Sequence, residues 1–236
     1  MPTGFEKWQQ TINAALSDAS WDQYDRSIQQ IVNEFNVHLA KTTGYRPLMW
    51  TFIKAMIWTE TGGPSRPAWK TIPMQIGNPH DPGLLALLNG REGGELIIPQ
   101  NYKNSLSALT AIASPEMNIV AGVGYLLMRA AHYGSVTETK GAVLTYAALP
   151  GDSFAKIAHT HESTVDVLRK LNPGVSVIHP KQLLKIQKAS SEKTIAGWEV
   201  ITTTFIASKY NVGDANYAAK LDYCLKVIAK VSGRAQ

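Results

Sequence analysis

Hydrophobic positions recur along most of the chain with the spacing of a helix. Ile28, Val32, Phe35 and Leu39 share one face of a helix that Gly44 would close. Pro47 suits the first turn of a second helix, which runs to Gly62-Gly63-Pro64 and places Trp50, Ile53, Ile57 and Glu60 on one face. Residues 106–114 and 118–133 predict two more helices. Near the end, Trp198, Ile201 and Phe205 mark one helix, and Tyr217, Leu221, Leu225 and Ile228 mark another. Residues 63–104 are rich in Gly and Pro and read mainly as loop.

Residues 143–188 break this style. Leu144, Tyr146 and Ala148 alternate as a strand does, and Pro150-Gly151 ends the run. Helical stretches at 153–159 and 163–171 follow, the second stopped by Asn172-Pro173, before Leu184 and Ile186 alternate again. The pattern predicts a strand-helix-helix-strand unit set inside an otherwise helical chain. If its strands pair antiparallel, its ends lie roughly 5 Å apart, and such a unit fits into a host loop.

Composition narrows the picture further. A chain of 236 residues suggests one or two domains, and 44% hydrophobic residues exclude a wholly disordered chain. Lys and Arg number 23 against 18 Asp and Glu, and the net charge of +5 is scattered rather than run together. No nucleic-acid partner is therefore expected. The polar start lacks the apolar region of a signal peptide, and the apolar run at 119–128 stops at Arg129, too short to span a bilayer. The expectation is a soluble protein without membrane insertion. One cysteine cannot form an internal disulfide, and Cys224 reads as a core residue. His159 and His161 lie on different sides of a helix with no carboxylate or thiol cluster to complete a metal site. No phosphate-binding or dinucleotide glycine pattern appears, so no cofactor and no metal are expected.

The chemistry-bearing residue of the first half is Glu60. A carboxyl that closes an apolar stripe has its charged form desolvated, which raises its pKa and suits a general acid. The plain structural reading is a glutamate that curls to solvent in the last turn. The order Trp58-Thr59-Glu60-Thr61-Gly62-Gly63, Met74-Gln75-Ile76, Asn118-Ile119 with Gly122, Tyr125 and Leu126, then Ala207 to Gly213 resembles the goose-type lysozyme and soluble lytic transglycosylase superfamily. The resemblance implies Glu60 as the catalytic acid at the floor of a groove. It has Tyr210 hydrogen-bonding Glu60, and Gln75, Ile76, Tyr125 and Asn211 on the sugar path. Trp69-Lys70-Thr71-Ile72-Pro73 departs from the family's Gly-Ala-x-Gly-Leu stretch, and Lys209 replaces its usual second Ala.

Residues 143–188 in turn resemble a LysM module, through Tyr146, Pro150-Gly151-Asp152-Ser153, Leu171-Asn172-Pro173, Ile178, Pro180, Gln182, Leu184 and Ile186. That resemblance implies glycan binding near Gly151, Asp152, Ser153, Ile178 and His179. Together the two resemblances imply a mainly α fold, with a lysozyme-like α-rich domain at 1–142 and 189–236 interrupted by a small βααβ LysM domain. The implied activity is cleavage of the β-1,4 bond between N-acetylmuramic acid and N-acetylglucosamine in peptidoglycan. A lytic transglycosylase giving 1,6-anhydro ends is favoured, since no carboxylate lies between Glu60 and Gln75. The alternatives are a hydrolytic muramidase or endolysin, with Asp81, Glu92 or Glu95 as the second carboxylate, and a non-catalytic wall-binding protein. With a wall target and no signal peptide, the protein would leave a bacterial or phage-infected cytoplasm by a non-classical route. An injected antibacterial effector would also require an immunity protein as partner.

Overall fold

The computed structural model describes residues 2–78 and 82–233. Nine α-helices precede the first strand among these residues, with short 3-10 turns at Ala14–Leu16 and Ala19–Asp22: α1 (Gly4–Asn13), α2 (Asp25–Leu39), α3 (Trp50–Thr61), α4 (Pro67–Thr71), α5 (Pro82–Leu88), α6 (Gly94–Ile97), α7 (Gln100–Lys103), α8 (Ala108–Ala113) and α9 (Pro115–Ala130). There follow β1 (Ala131–Ala147), α10 (Phe154–Thr160), α11 (Val165–Leu171), β2 (Leu183–Trp198), α12 (Thr203–Lys209) and α13 (Tyr217–Ser232). The protein is mainly helical, with β1 and β2 paired as a small antiparallel sheet. None of these helices is long and apolar enough to cross a membrane.

Two compact units divide the chain: Met1–His132 with Ile195–Gln236, and Tyr133–Thr194 between them. The smaller unit is wider than the 143–188 expected from sequence because its strands are longer. Backbone bonds join Glu199 to Ala130 at one end of the pairing and Ala148 to Gln182 and Lys181 at the other. That ladder also ends α9 at Ala130, where 118–133 had been expected as helix, and it keeps Trp198 extended. Trp198 therefore does not share a helix with Ile201 and Phe205. Its indole instead donates to Thr42 Oγ1 at 2.9 Å, and α12 begins only after Thr202 caps it through the Phe205 N–H. The smaller unit has its own core, with Phe154, Ile157 and Leu168 of its helices packed on Ala148, Leu184 and Ile186.

The stretch 63–104 is not mainly loop. Its Gly and Pro residues mark the ends of four short helices, α4 to α7, rather than replacing them. Pro67 opens α4, Pro82 opens α5, and Gly93 at φ +94° precedes α6. Helix α1 went unread, although its Thr3/Glu6 capping box is legible in the sequence.

Helix α3 is packed by α2, α4 and α13. It buries more than one stripe: every residue from Ile53 to Trp58 is inside. Lys54 is among them, held by Asp22 at 2.5 Å and Asp25 at 2.7 Å, with its ammonium over the Trp50 and Trp58 rings. Of the two glycines after α3, the first closes the helix and the second leaves room for Trp21. Gly62 takes φ +71° to end the helix, and a Cβ on Gly63 would lie 2.4 Å from the Trp21 ring. Trp21 in turn meets Trp58 and Trp69 edge-on.

A second constraint pins the segment from Met74 to Ile76. Asn118, fully buried on α9, accepts the Met74 N–H at 2.8 Å and donates to the Ile76 and Ala111 carbonyls, both at 2.9 Å. One turn along, Gly122 leaves room for Met74, whose Cβ would be 2.7 Å from any Cβ added there. Asn118→Ala strands one N–H and two carbonyls in the interior, which should cost about 3 kcal/mol. Thermal unfolding followed by circular dichroism should show a melting temperature lowered by roughly 6–12 °C.

Candidate active site

The end of α3 and the pinned segment open onto a cleft of about 310 Å³ lined by Glu60, Gln75, Ile76, Asn78, Tyr125, Tyr210 and Asn211. The structure thus brings together Glu60 and the five residues placed around it in the larger unit, and adds Asn78. Gln75 adopts φ +54°, and Asn78 fastens it by donating to its backbone carbonyl at 2.9 Å and to its side-chain Oε1 at 3.1 Å. Tyr125 and Tyr210 pack edge to face with their rings 5.7 Å apart.

Tyr210 does not play the role expected of it. Its hydroxyl donates to the Met74 carbonyl at 2.8 Å, so it secures the wall of the cleft rather than Glu60. The hydroxyl that donates to Glu60 Oε1, at 2.5 Å, belongs to Tyr217. Sequence reading took Tyr217 only as the first position of an apolar stripe. Its signal was a phenol placed in the first turn of α13, where a buried ring needs a partner for its hydroxyl. Helix α13 runs against α3, which carries Tyr217 beneath the carboxylate.

The electrostatics of Glu60 are a contest. Burial is the largest influence and raises its pKa above the ordinary 4.5, because the charged form loses water. Hydrogen bonds from Tyr217 and Asn211 oppose that shift by favouring the carboxylate. Nearby Asp214 raises it further, and Lys220 pulls it down. Those two form an ion pair of their own at 2.6 Å, and the bond from Lys220 holds the Asp214 carboxyl below its usual range. Tyr217 itself is pushed well above 10, chiefly by burial and then by the Glu60 charge, so it stays a donor.

The other expected carboxylates stand elsewhere. Glu92 pairs with Arg129 at 3.0 Å on the surface, and Glu95 occupies the exposed first turn of α6. Neither lines the cleft, and Asp81 lies outside the described residues. The carboxylate that Glu60 feels most is Asp214, which sequence reading passed over. Among the described residues no group of three or more His, Cys, Asp or Glu is placed to hold a metal ion.

In the smaller unit the five expected glycan contacts fall on two loops, joined at their base by the Ala148 and Gln182 backbone pair. Asp152 is turned inward. Its carboxylate accepts the Leu149 N–H at 2.8 Å and the Tyr146 hydroxyl at 2.7 Å, and its side chain is 3% exposed, so it shapes the loop. Its pKa is lowered, first by the Leu149 N–H. Ser153 caps α10 through the Lys156 N–H, and Gly151 holds φ +79° in the turn before it. Ile178 packs against the unit's core, while His179 is exposed and gives its N–H to Gln182.

No family model, no curated protein and no solved structure matches this chain. Function therefore has to be argued from the cleft. Its walls carry amides and phenols, a single carboxyl and no cation. That lining suits a neutral ligand rich in hydroxyl and amide groups and disfavours a phosphate or a polyanion.

Two titration experiments follow. Tyr217→Phe removes a donor that favours the charged form, so the Glu60 midpoint, read by carboxyl carbon NMR, should move up. Because burial raises the folded-state pKa, the native chain binds this proton more tightly than the unfolded chain, and stability is lost as pH rises from the ordinary carboxyl range through the raised value. Glu60→Gln removes that penalty. Its melting temperature should exceed that of the wild type at about pH 7 and match it below about pH 4.

Proposed function

We propose that the chain is a peptidoglycan-cleaving enzyme, acting on the β-1,4 bond between N-acetylmuramic acid and N-acetylglucosamine without using water. The observation that carries this reading is a partly buried carboxyl with a raised pKa facing an otherwise uncharged, amide-lined cleft. The order of the motifs around Glu60, Gln75, Asn118 and Tyr210 supports the same reading by resemblance. On it, the larger unit is a lysozyme-like catalytic domain and the smaller one an inserted LysM-type module that holds the wall.

Glu60 begins protonated and gives its proton to the glycosidic oxygen as the bond to the muramic anomeric carbon breaks. Tyr217 and Asn211 then stabilise the carboxylate left behind, so the bonds that oppose the raised pKa serve the second half of the reaction. The carboxylate takes the proton of the muramic 6-hydroxyl, whose oxygen closes on the anomeric carbon to give the 1,6-anhydro ring. Gln75, Asn78 and the tyrosines hold the sugars across the cleft. A hydrolytic route would need a second carboxylate across the bond with room for a water. Asp214, already tied to Lys220 and to the Asn216 N–H, is poorly suited to activate one.

Glu60→Gln should lower lysis of purified walls by at least about 10²-fold, the worth of a general acid. Unchanged turbidity loss in that variant would overturn the assignment. Mass spectrometry of the products should find muropeptides lacking one water, and products that all carry it would turn the reading to hydrolysis, with Asp81→Asn as the next variant to assay.

A further inference from the structure

We propose that the smaller unit carries a second ligand site, for the charged end of a short peptide, in a cavity between the paired strands and the turn that follows α10. The cavity measures about 400 Å³, more than the cleft at Glu60. It is formed by residues 140–142 and Leu144 of β1, Thr160 at the end of α10 with the turn residues His161 and Glu162, and Ile186 to Lys188 of β2. These residues are separate from the two loops that carry Gly151–Ser153 and Ile178–His179.

The lining has the chemistry of a zwitterion site. Aliphatic side chains of Ala142, Leu144 and Ile186 line its walls, and Leu144 is 61% exposed, a large apolar side chain without cover. Around them stand Lys140, Lys188 and Glu162. Lys188 is matched by Glu162 at 2.6 Å, whereas Lys140 has no counter-ion among the described residues. The lining therefore has one cation in excess. Glu162 sits at φ +50°, a left-handed conformation that a glutamate rarely takes, and its carbonyl is fixed there by the Ala189 N–H at 2.9 Å. His161, beside it, has a buried Nε2 with no hydrogen-bond partner.

A carboxylate meets Lys140, an ammonium joins Lys188 at the exposed Glu162 carboxylate, and a short aliphatic stem lies on Leu144 and Ile186. A sugar ring finds little here, since the lining offers charge and aliphatic surface rather than flat aromatic faces. Resting on the reading of the chain as a wall-cleaving enzyme, the occupant is the stem peptide of peptidoglycan, which carries free carboxylates and a free amine on a diamino acid. Holding the peptide while the cleft takes the glycan would raise the effective concentration of the bond to be cut.

The test is calorimetric titration of the full chain with a synthetic alanyl-γ-glutamyl-diaminopimelyl-alanine tetrapeptide, as the free acid and as the C-terminal amide. The free acid should bind about fivefold more tightly than the amide, the worth of one partly exposed charge contact. Lys140→Glu, a surface change in the smaller unit, should abolish that preference while leaving cleavage of peptide-free glycan strands as in the wild type. Absence of binding up to about 10 mM, equal affinity for acid and amide, or a preference that survives in Lys140→Glu would each overturn the proposal. The titration requires no catalysis. Wall lysis by the same preparation reports on Glu60 separately, so the failure of one reading leaves the other standing.

Discussion

Asn118 is the residue on which the cleft depends. One side-chain amide, fully buried, satisfies the backbone on both sides of Gln75 and ties that segment to the end of α8. Gln75 occupies a positive φ that it would not keep unaided, and this anchorage holds it there. Gly122, one turn further on α9, lets Met74 sit directly on the helix, and Tyr210 captures the Met74 carbonyl from the far side of the cleft. The lining is thus rigid because its backbone is bonded to two helices at once.

Against that rigid wall, Glu60 is held in an unequal balance. Burial favours its neutral form, while Tyr217 and Asn211 favour its charged form, and burial wins. Such an arrangement fits a group that must change protonation state within one reaction. A carboxyl held only by burial would resist losing its proton, and one held only by donors would resist keeping it. The Asp214–Lys220 pair adjusts the balance from outside the cleft, its two partners acting in opposite directions on Glu60.

The smaller unit is energetically self-sufficient in a way that suits its place in the chain. Its helices pack on its own strands, and its polar loop groups are answered locally, Asp152 by Tyr146 and Leu149, Asn172 by the backbone of Lys185. Its exceptions gather near the turn after α10, where His161 Nε2, Ser163 Oγ and Ser190 Oγ are buried without partners.

By itself the sequence determined the helices with strong apolar periodicity, α2, α3, α9 and α13, the strand-helix-helix-strand order of the smaller unit, and Glu60 as the chemistry-bearing residue. Each is written in local signals: spacing, caps, or a polar residue closing an apolar stripe. Gln75, Ile76, Tyr125, Tyr210 and Asn211 were legible only through the resemblance of their motifs, and Asn78 was not legible at all. The short helices at 67–103 were not legible, because their Gly and Pro residues are read as loop unless the packing of Leu84, Leu87 and Ile97 is known. Nor was the length of β1 and β2, since strand pairing between residues far apart in sequence overrides a weak helical pattern at 131–133 and at Trp198. Only the tertiary structure decided which tyrosine serves Glu60. Tyr210 and Tyr217 lie seven residues apart, and their roles follow from the packing of α13 on α3, which carries Tyr217 to the carboxylate and leaves Tyr210 to the Met74 carbonyl. A sequence records that a phenol is present, but the bond it makes is fixed by the helix packed against its own.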